Sequence, residues 1–201
     1  MRYAADHKQK TRQRILDAAA IVFRRQGFAG GSVDDVMAEA GLTAGGFYAH
    51  FDSKDELFAE ALFQTLRQGR VVYGKDDAEL TGAERVQAIA GKYLSPAHRR
   101  LVERGCPMPP LVADLARQSP ATRRAFEKIV AEIVASLEPH LASGKATQEP
   151  DQALALLALM VGGLSLARAV ADENLADRIL AACRNLIDSA TSTPNKRKRR
   201  T

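Results

Sequence analysis

The stretch Ser32-Val-Asp-Asp-Val-Met-Ala-Glu-Ala-Gly-Leu-Thr-Ala-Gly-Gly-Phe-Tyr-Ala-His-Phe-Asp-Ser-Lys54 decides the reading of this chain. Ser32 is placed to cap a short helix with Val33, Val36, Met37 and Ala40 on its apolar side, and Asp35 stands where a capping box needs its acid. Gly41-Leu42 turns the chain, and Thr43 is the expected cap of another short helix over 44–51. Two short helices joined by a glycine-containing turn of about three or four residues form a helix-turn-helix, whose second helix is shaped to enter a major groove. Leu42, Phe47 and Phe51 fall on one side of that second helix and can lock it onto a preceding helix. Thr43, Tyr48, His50 and Lys54 are left projecting, with donors suited to phosphate oxygens. The free N–H groups at the helix start serve the same end.

Working outward, the spacing of Ile15, Ala19, Val22 and Phe23 predicts a helix over 8–26, stopped by Gly27. Asp52-Ser53 breaks the chain, and Ser53 with Glu56 forms a capping box for a helix over 53–72. After a loop at 74–77, helices are expected over 82–94, 111–118, 121–137, 150–171 and 173–189. Ser119 caps the third of these, with Pro120 as its first residue. Residues 97–110 read as irregular or short-helical, with three prolines after Cys106, and the polar stretch 143–149 as a linker. No β-branched run alternates, so the expected class is all-α, with about nine helices.

The formal net charge is +5, and five cations lie at 196–200. Residues 1–195 are therefore neutral overall. The local asymmetry is more telling: Arg2, Lys8, Lys10, Arg12 and Arg14 face only Asp6, which reads as a basic arm that tracks phosphates. The basic tail at 191–201 reads either as a solvated end or as a source of nonspecific, salt-dependent phosphate contacts. A hydrophobic fraction of 46% is that of a globular chain with a real core. The N-terminus lacks the apolar region of a signal peptide. The apolar run at 153–167, ended by Arg168, reads as too short to span a bilayer. A soluble, cytoplasmic protein with no membrane partner is the expectation.

Beyond its local chemistry, the stretch 32–51, followed by Ser53-Lys54-Asp55-Glu56-Leu57, resembles the DNA-binding signature of tetracycline-repressor (TetR) family regulators. The matching positions are the Ala-Gly before the turn, Thr43, Gly45, Tyr48, His50-Phe51 and Lys54. With the first helix the resemblance covers about the first 60 residues, and more loosely the length and helix count of the rest. It implies an N-terminal three-helix DNA-binding domain at 1–53, a helical ligand-binding and dimerisation domain at 54–190, and a homodimer on a palindromic double-stranded operator. It further implies release by a small-molecule effector. On it the DNA-binding residues are Ser32, Val33, Thr43, Ala44, Gly45, Gly46, Tyr48, His50 and Lys54. Ala44, Gly45 and Gly46 offer little side chain to base edges, so readout would rest on Thr43, Tyr48, backbone approach and DNA shape.

The helix over 150–171 is apolar nearly all round and must be buried on both sides. Gly162-Gly163 in its interior points to a close backbone approach, read here as an approach to a partner subunit. The resemblance implies a four-helix dimer interface from the last two helices, through Leu156, Met160, Gly163, Ile179, Cys183 and Leu186. It also implies an effector pocket, with Leu62, Leu66, Cys106, Met108, Leu111, Phe126, Ile129, Val130, Ile133 and Leu159 as candidate walls suited to an apolar or aromatic molecule. Arg117, Arg123, His98 and His140 read as surface groups. Cys106 follows Arg104-Gly105 and precedes a helix start, a setting that favours a reactive thiolate sensor; the plainer reading, preferred here, is a small buried hydrophobe. Cys183 reads as structural. No nucleophile motif, phosphate-cradling glycine loop or metal-ligand spacing occurs, so no catalytic residue, metal or cofactor is expected. A DNA-binding architectural protein without an effector is the competing reading, set against a second domain longer than pairing alone requires.

Overall fold

The computed structural model describes residues 2–68, 79–141 and 151–191, with side chains from residue 6 onward. The expected loop at 74–77, the linker at 143–149, and the tail from 192 lie outside the described residues, as does the Arg2 side chain. Among the described residues all regular structure is helical: nine α-helices and one 3₁₀ helix. They are α1 (Arg2–Gly30), α2 (Val33–Glu39), the 3₁₀ helix (Ala44–Ala49), α3 (Lys54–Gln68), α4 (Gly82–Tyr93) and α5 (Pro96–Arg100). Then follow α6 (Met108–Leu115), α7 (Pro120–Leu141), α8 (Gln152–Ala169) and α9 (Glu173–Thr191).

The chain forms two compact units. The first is Met1–Val71 with Arg100–Val130; the second is Val72–Arg99 with Ala131–Thr201. In the first, α1 packs against α2, α3 and α6. Its core gathers Ile15, Val22, Phe23, Val36, Met37, Phe47, Phe51, Phe58, Leu62 and Leu111. In the second, α8 packs against α9 and α4, and α4 against α9.

Four boundaries differ from the sequence reading, each for a local reason. α1 begins near the N-terminus, so the basic segment is a helix rather than an extended arm, and it continues to Gly30 across a kink at Gly27 (φ 71°, ψ 176°). The helix expected over 44–51 is a 3₁₀ helix, the tighter form that short segments adopt. α6 starts at Met108 because Pro109 and Pro110 sit in its first turn, where a missing N–H removes no helical bond. α7 runs past Pro139 to Leu141; the ring leaves the Ala135 carbonyl without its helical donor and crowds it, a disruption confined to the last two turns.

α8 is long and apolar enough, by length and composition, to cross a membrane, which corrects the reading of this run as too short. In the fold Ala153, Leu156, Met160, Leu164 and Ala167 are buried. Gly163 is fixed by packing: a Cβ there would lie 2.6 Å from Cys183 Sγ. At Gly163 the close approach expected toward a partner subunit is thus made to α9 of the same chain, whereas a Cβ on Gly162 would meet nothing within 4 Å. Burial pushes the Cys183 thiol pKa up, in keeping with a structural role.

Polar ties close the second unit. Arg168 donates to the carbonyls of His98 and Arg99, Arg99 pairs with Glu173, and Arg184 donates to the Leu94 carbonyl. His98, expected at the surface, is only 4% exposed, with Nδ1–H donating to the Tyr93 carbonyl at 2.7 Å. Burial holds its pKa below the ordinary 6.5, with Arg168 pushing the same way and the Tyr93 bond opposing. The unfolded chain therefore takes up the His98 proton first as pH falls. The stability His98 contributes is complete above about pH 6.5 and is lost as pH drops through that value toward the folded pKa. Denaturant midpoints measured from pH 7.5 to 5 should fall, and His98→Gln should remove part of that fall. An unchanged pH profile in the variant would rule His98 out as its source.

Candidate nucleic-acid interface

The helix-turn-helix is built from reciprocal local bonds. Ser32 Oγ accepts from the Asp35 N–H at 3.0 Å, and Asp35 Oδ2 accepts from the Ser32 N–H at 2.9 Å. The Ser32 hydroxyl also donates to Asp35 Oδ2 at 2.6 Å, and this bond first, then that of the Ser32 N–H, holds the Asp35 carboxyl below its usual pKa range. At the other end of α2, the Gly41 N–H donates to the Ala38 carbonyl and the Leu42 N–H to the Met37 carbonyl. That paired pattern closes a helix through a left-handed residue, and Gly41 has φ +66°. Arg14 donates to the Ala40 carbonyl at 2.7 Å, fastening the same turn to α1.

The turn delivers the 3₁₀ helix with one face inward. Phe47 is 0% exposed and Phe51 1%, with their rings stacked at 5.8 Å. Tyr48 is 74% exposed, and its ring meets Phe47 edge-on at 5.1 Å, which fixes its direction. Thr43, Ala44 and Gly45 are exposed beside it. Thr43 occupies the N-cap position but makes no capping bond, so its hydroxyl is not used within the turn. A Cβ on Gly45 would meet nothing within 4 Å. Packing within the chain therefore does not demand glycine there.

The remaining residues expected at this face are less simply placed. The Ser32 hydroxyl is engaged in the cap, Val33 is half-buried against the core, and Gly46 is half-buried. His50 is half-buried with Nδ1 enclosed and unpartnered among the described residues. Burial lowers its pKa, and Lys8, Arg12 and His7 add to the effect, so at neutral pH it is an uncharged imidazole rather than a cation. Lys54 rests its ammonium 4.6 Å from the Phe28 ring centroid.

Two members of the basic segment are scaffold rather than phosphate-tracking groups. Arg12 pairs with Glu60 at 2.6 Å and lies over the Phe51 ring at 4.4 Å, and Arg14 holds the α2 turn. Lys10 pairs with Asp6 one turn away. Sequence reasoning missed these roles because the partners of Arg12 and Arg14 lie 48 and 26 residues along the chain.

Of the expected effector-pocket residues, Leu62 and Leu111 belong to the first unit's core, and Leu66 and Phe126 pack against it. Cys106, Met108 and Ile129 are buried, while Val130 and Ile133 are half-buried. Leu159 lines a groove of about 300 Å³ in the second unit, together with Leu141, Leu156, Leu186 and Ile187. Of the expected dimer residues, Leu156, Met160 and Gly163 are already buried within one chain. Cys183 and Ile179 are half-buried, and Leu186 is 58% exposed. Leu154 and Leu166 on α8 and Leu175 on α9 are exposed as well, a feature that alternation within a uniformly apolar helix could not single out. Among the described residues no group of three or more His, Cys, Asp or Glu side chains could hold a metal ion.

Comparison with known proteins agrees with this architecture. Residues 15–61 match the sequence family of bacterial regulatory proteins of the tetR type, and residues 82–183 match the tetracyclin repressor-like C-terminal domain. The uncharacterized HTH-type transcriptional regulator YfiR of Bacillus subtilis is 39% identical over 64 residues, which are 32% of this chain and 31% of that protein. The chain thus spans less than a third of that relative's length. The HTH-type transcriptional repressor DhaR of Mycobacterium sp. is 25% identical over 138 residues, 68% of each chain. In fold, the chain is similar to a TetR-family transcriptional regulator from Cytophaga hutchinsonii (TM-score 0.74, 21% identity, covering 93% of this chain and 98% of the other). It is similarly close to Escherichia coli NemR in its reduced form (TM-score 0.73, 22% identity, covering 92% and 98%). Because the second family match alone takes in half of the chain and the first takes in its helix-turn-helix, the chain belongs to the TetR family of bacterial transcriptional regulators.

Proposed function

We propose that the protein is a homodimeric, cytoplasmic repressor that holds a palindromic operator and releases it when a small apolar or aromatic effector binds its helical second domain. Residues 1–53 are the DNA-binding domain in this reading, and 54–190 sense and pair. The protein acts by binding and carries no catalysis. The observation that supports DNA contact best is the exposure of Tyr48, directed outward by a neighbour, Phe47, that is wholly buried. Thr43, Tyr48 and Lys54 meet phosphates, while Ala44 and Gly45 let the backbone approach the groove. Two such faces in a dimer read successive major grooves about 34–36 Å apart. An effector that prefers a different spacing weakens operator binding, and operator weakens effector binding by the same factor.

The test is a fluorescence-anisotropy titration of wild type and Tyr48→Ala against DNA from upstream of the protein's own gene and against random duplex. Tyr48 is so exposed that its truncation should leave the melting curve within about 0.5 kcal/mol of wild type. Affinity should fall about tenfold on both DNAs, the size of one lost polar contact to the backbone. Unaltered affinity would remove this face from the DNA contact.

A further inference from the structure

Phe28 is the point where α1, α3 and α6 of the first unit meet, and its surroundings carry a role that DNA contact alone does not assign. Gly27 leaves helical geometry with φ 71° and ψ 176°, which swings the following N–H out of the α1 hydrogen-bond ladder. Asp114 of α6 supplies the acceptor: its Oδ2 takes the Phe28 N–H at 2.8 Å. The other carboxylate oxygen accepts from Arg117 at 2.6 Å, and the Asp114 side chain is only 14% exposed. A Cβ at residue 27 would stand 3.1 Å from the same Oδ2, so the carboxylate sits tightly against the kink.

The ring so anchored is clamped by Phe58 at 5.0 Å and Phe23 at 6.2 Å. Phe58 lies one turn beyond Lys54 on α3, and the Lys54 ammonium rests over that same ring. A cation held over an aromatic face keeps its charge while losing rotational freedom. The Phe28 ring is therefore a platform that aims Lys54, and Asp114 holds the platform from a helix outside the helix-turn-helix.

We propose that Asp114 is a positioning residue for DNA binding, acting on Lys54 through the Phe28 amide and ring. This rests on the reading of Lys54 as a phosphate contact, and it names a side chain in α6 through which the state of that helix reaches the DNA face. The hydrogen bond matters here, rather than the net charge of Asp114. Asparagine, which keeps an acceptor oxygen at that position, should therefore serve.

The experiment is a double-mutant cycle in the full-length protein. Lys54→Ala, Asp114→Ala, the double variant and Asp114→Asn are titrated against a labelled duplex of about 30 base pairs from the gene's upstream region and against random duplex, over a range of salt. Lys54→Ala should weaken binding about fivefold on both duplexes and lower the salt slope by about 1. Asp114→Ala should weaken it about threefold to fivefold with the same loss of slope, the double variant should be no weaker than Lys54→Ala, and Asp114→Asn should stay within about twofold of wild type. A merely structural role would lower the melting temperature without touching the salt slope. If Asp114→Ala does not fold, Phe28→Leu, which keeps apolar bulk but no aromatic face, should show the same loss of slope. Effects that multiply in the double variant, an Asp114→Asn as weak as Asp114→Ala, or a Phe28→Leu with unchanged slope would overturn the relay. If Lys54→Ala alone left affinity and slope intact, the phosphate contact itself would be wrong, and the relay would fall with it.

Discussion

Leu186→Glu should turn the protein into a monomer and abolish operator binding at concentrations where the wild type is saturated. Leu186 is 58% exposed on α9, with Leu175 at 42% on the same helix and Leu166 at 60% on α8. All three lie on the helices that our functional reading assigns to pairing. In a two-fold dimer each substitution acts twice, because both copies present the same residue. Losing the burial of one leucine is worth about 1.5–3 kcal/mol, and placing a carboxylate in its stead adds a desolvation penalty. Two copies then raise the dimer dissociation constant by at least about 10²–10⁴. Sedimentation or light scattering reads the oligomer and anisotropy reads the DNA. Because Leu186 is exposed in one chain, the monomer itself should retain its helical content. A Leu186→Glu protein that stays dimeric and binds normally would place the interface elsewhere. Leu156→Glu is not an equivalent test, since Leu156 is buried within its own chain and its loss would disturb the fold.

Phe47→Ala should damage the fold and DNA binding together. The ring is fully buried, stacks on Phe51 and supports Tyr48 edge-on. Truncating a buried phenylalanine costs about 3–5 kcal/mol through lost transfer energy and the cavity left behind. For a chain of this size that is a fall of about 10 °C in melting temperature, checked by circular dichroism. DNA affinity should fall further than in Tyr48→Ala, because the platform that aims Tyr48 goes with the ring. The comparison is informative. Tyr48→Ala removes a contact and spares the fold, while Phe47→Ala removes the support and damages both. A Phe47→Ala protein as stable as the wild type would mean that the 3₁₀ helix is held by something other than this side chain.

The family placement and the helix-turn-helix were legible in one sequence because the signals that specify them are local. Ser32 and Asp35 are three residues apart, Gly41 takes a left-handed backbone that glycine favours, and Phe47 and Phe51 are one turn apart. Each of these is an interaction between near neighbours, which helical periodicity and capping chemistry encode directly. What Arg12 and Arg14 do was not legible. A cation near the start of a chain looks like a phosphate contact until Glu60, Phe51 and the Ala40 carbonyl are brought to it by packing. His98 looked like a surface group as well, because a lone histidine gives no sign that its ring will bond the Tyr93 carbonyl and lie edge-on to the Tyr93 ring while Arg168, seventy residues away, ties down its backbone.

Gly163 marks the boundary between the two kinds of knowledge. Its sequence context showed that something comes close to the α8 backbone, since an interior glycine is otherwise unfavourable in a helix. Only the tertiary structure decided that the close neighbour is Cys183 of the same chain. A uniformly apolar helix carries no periodic mark to say which of its faces turns inward, so the division of α8 into a buried side and an exposed one is set by how α4 and α9 pack against it.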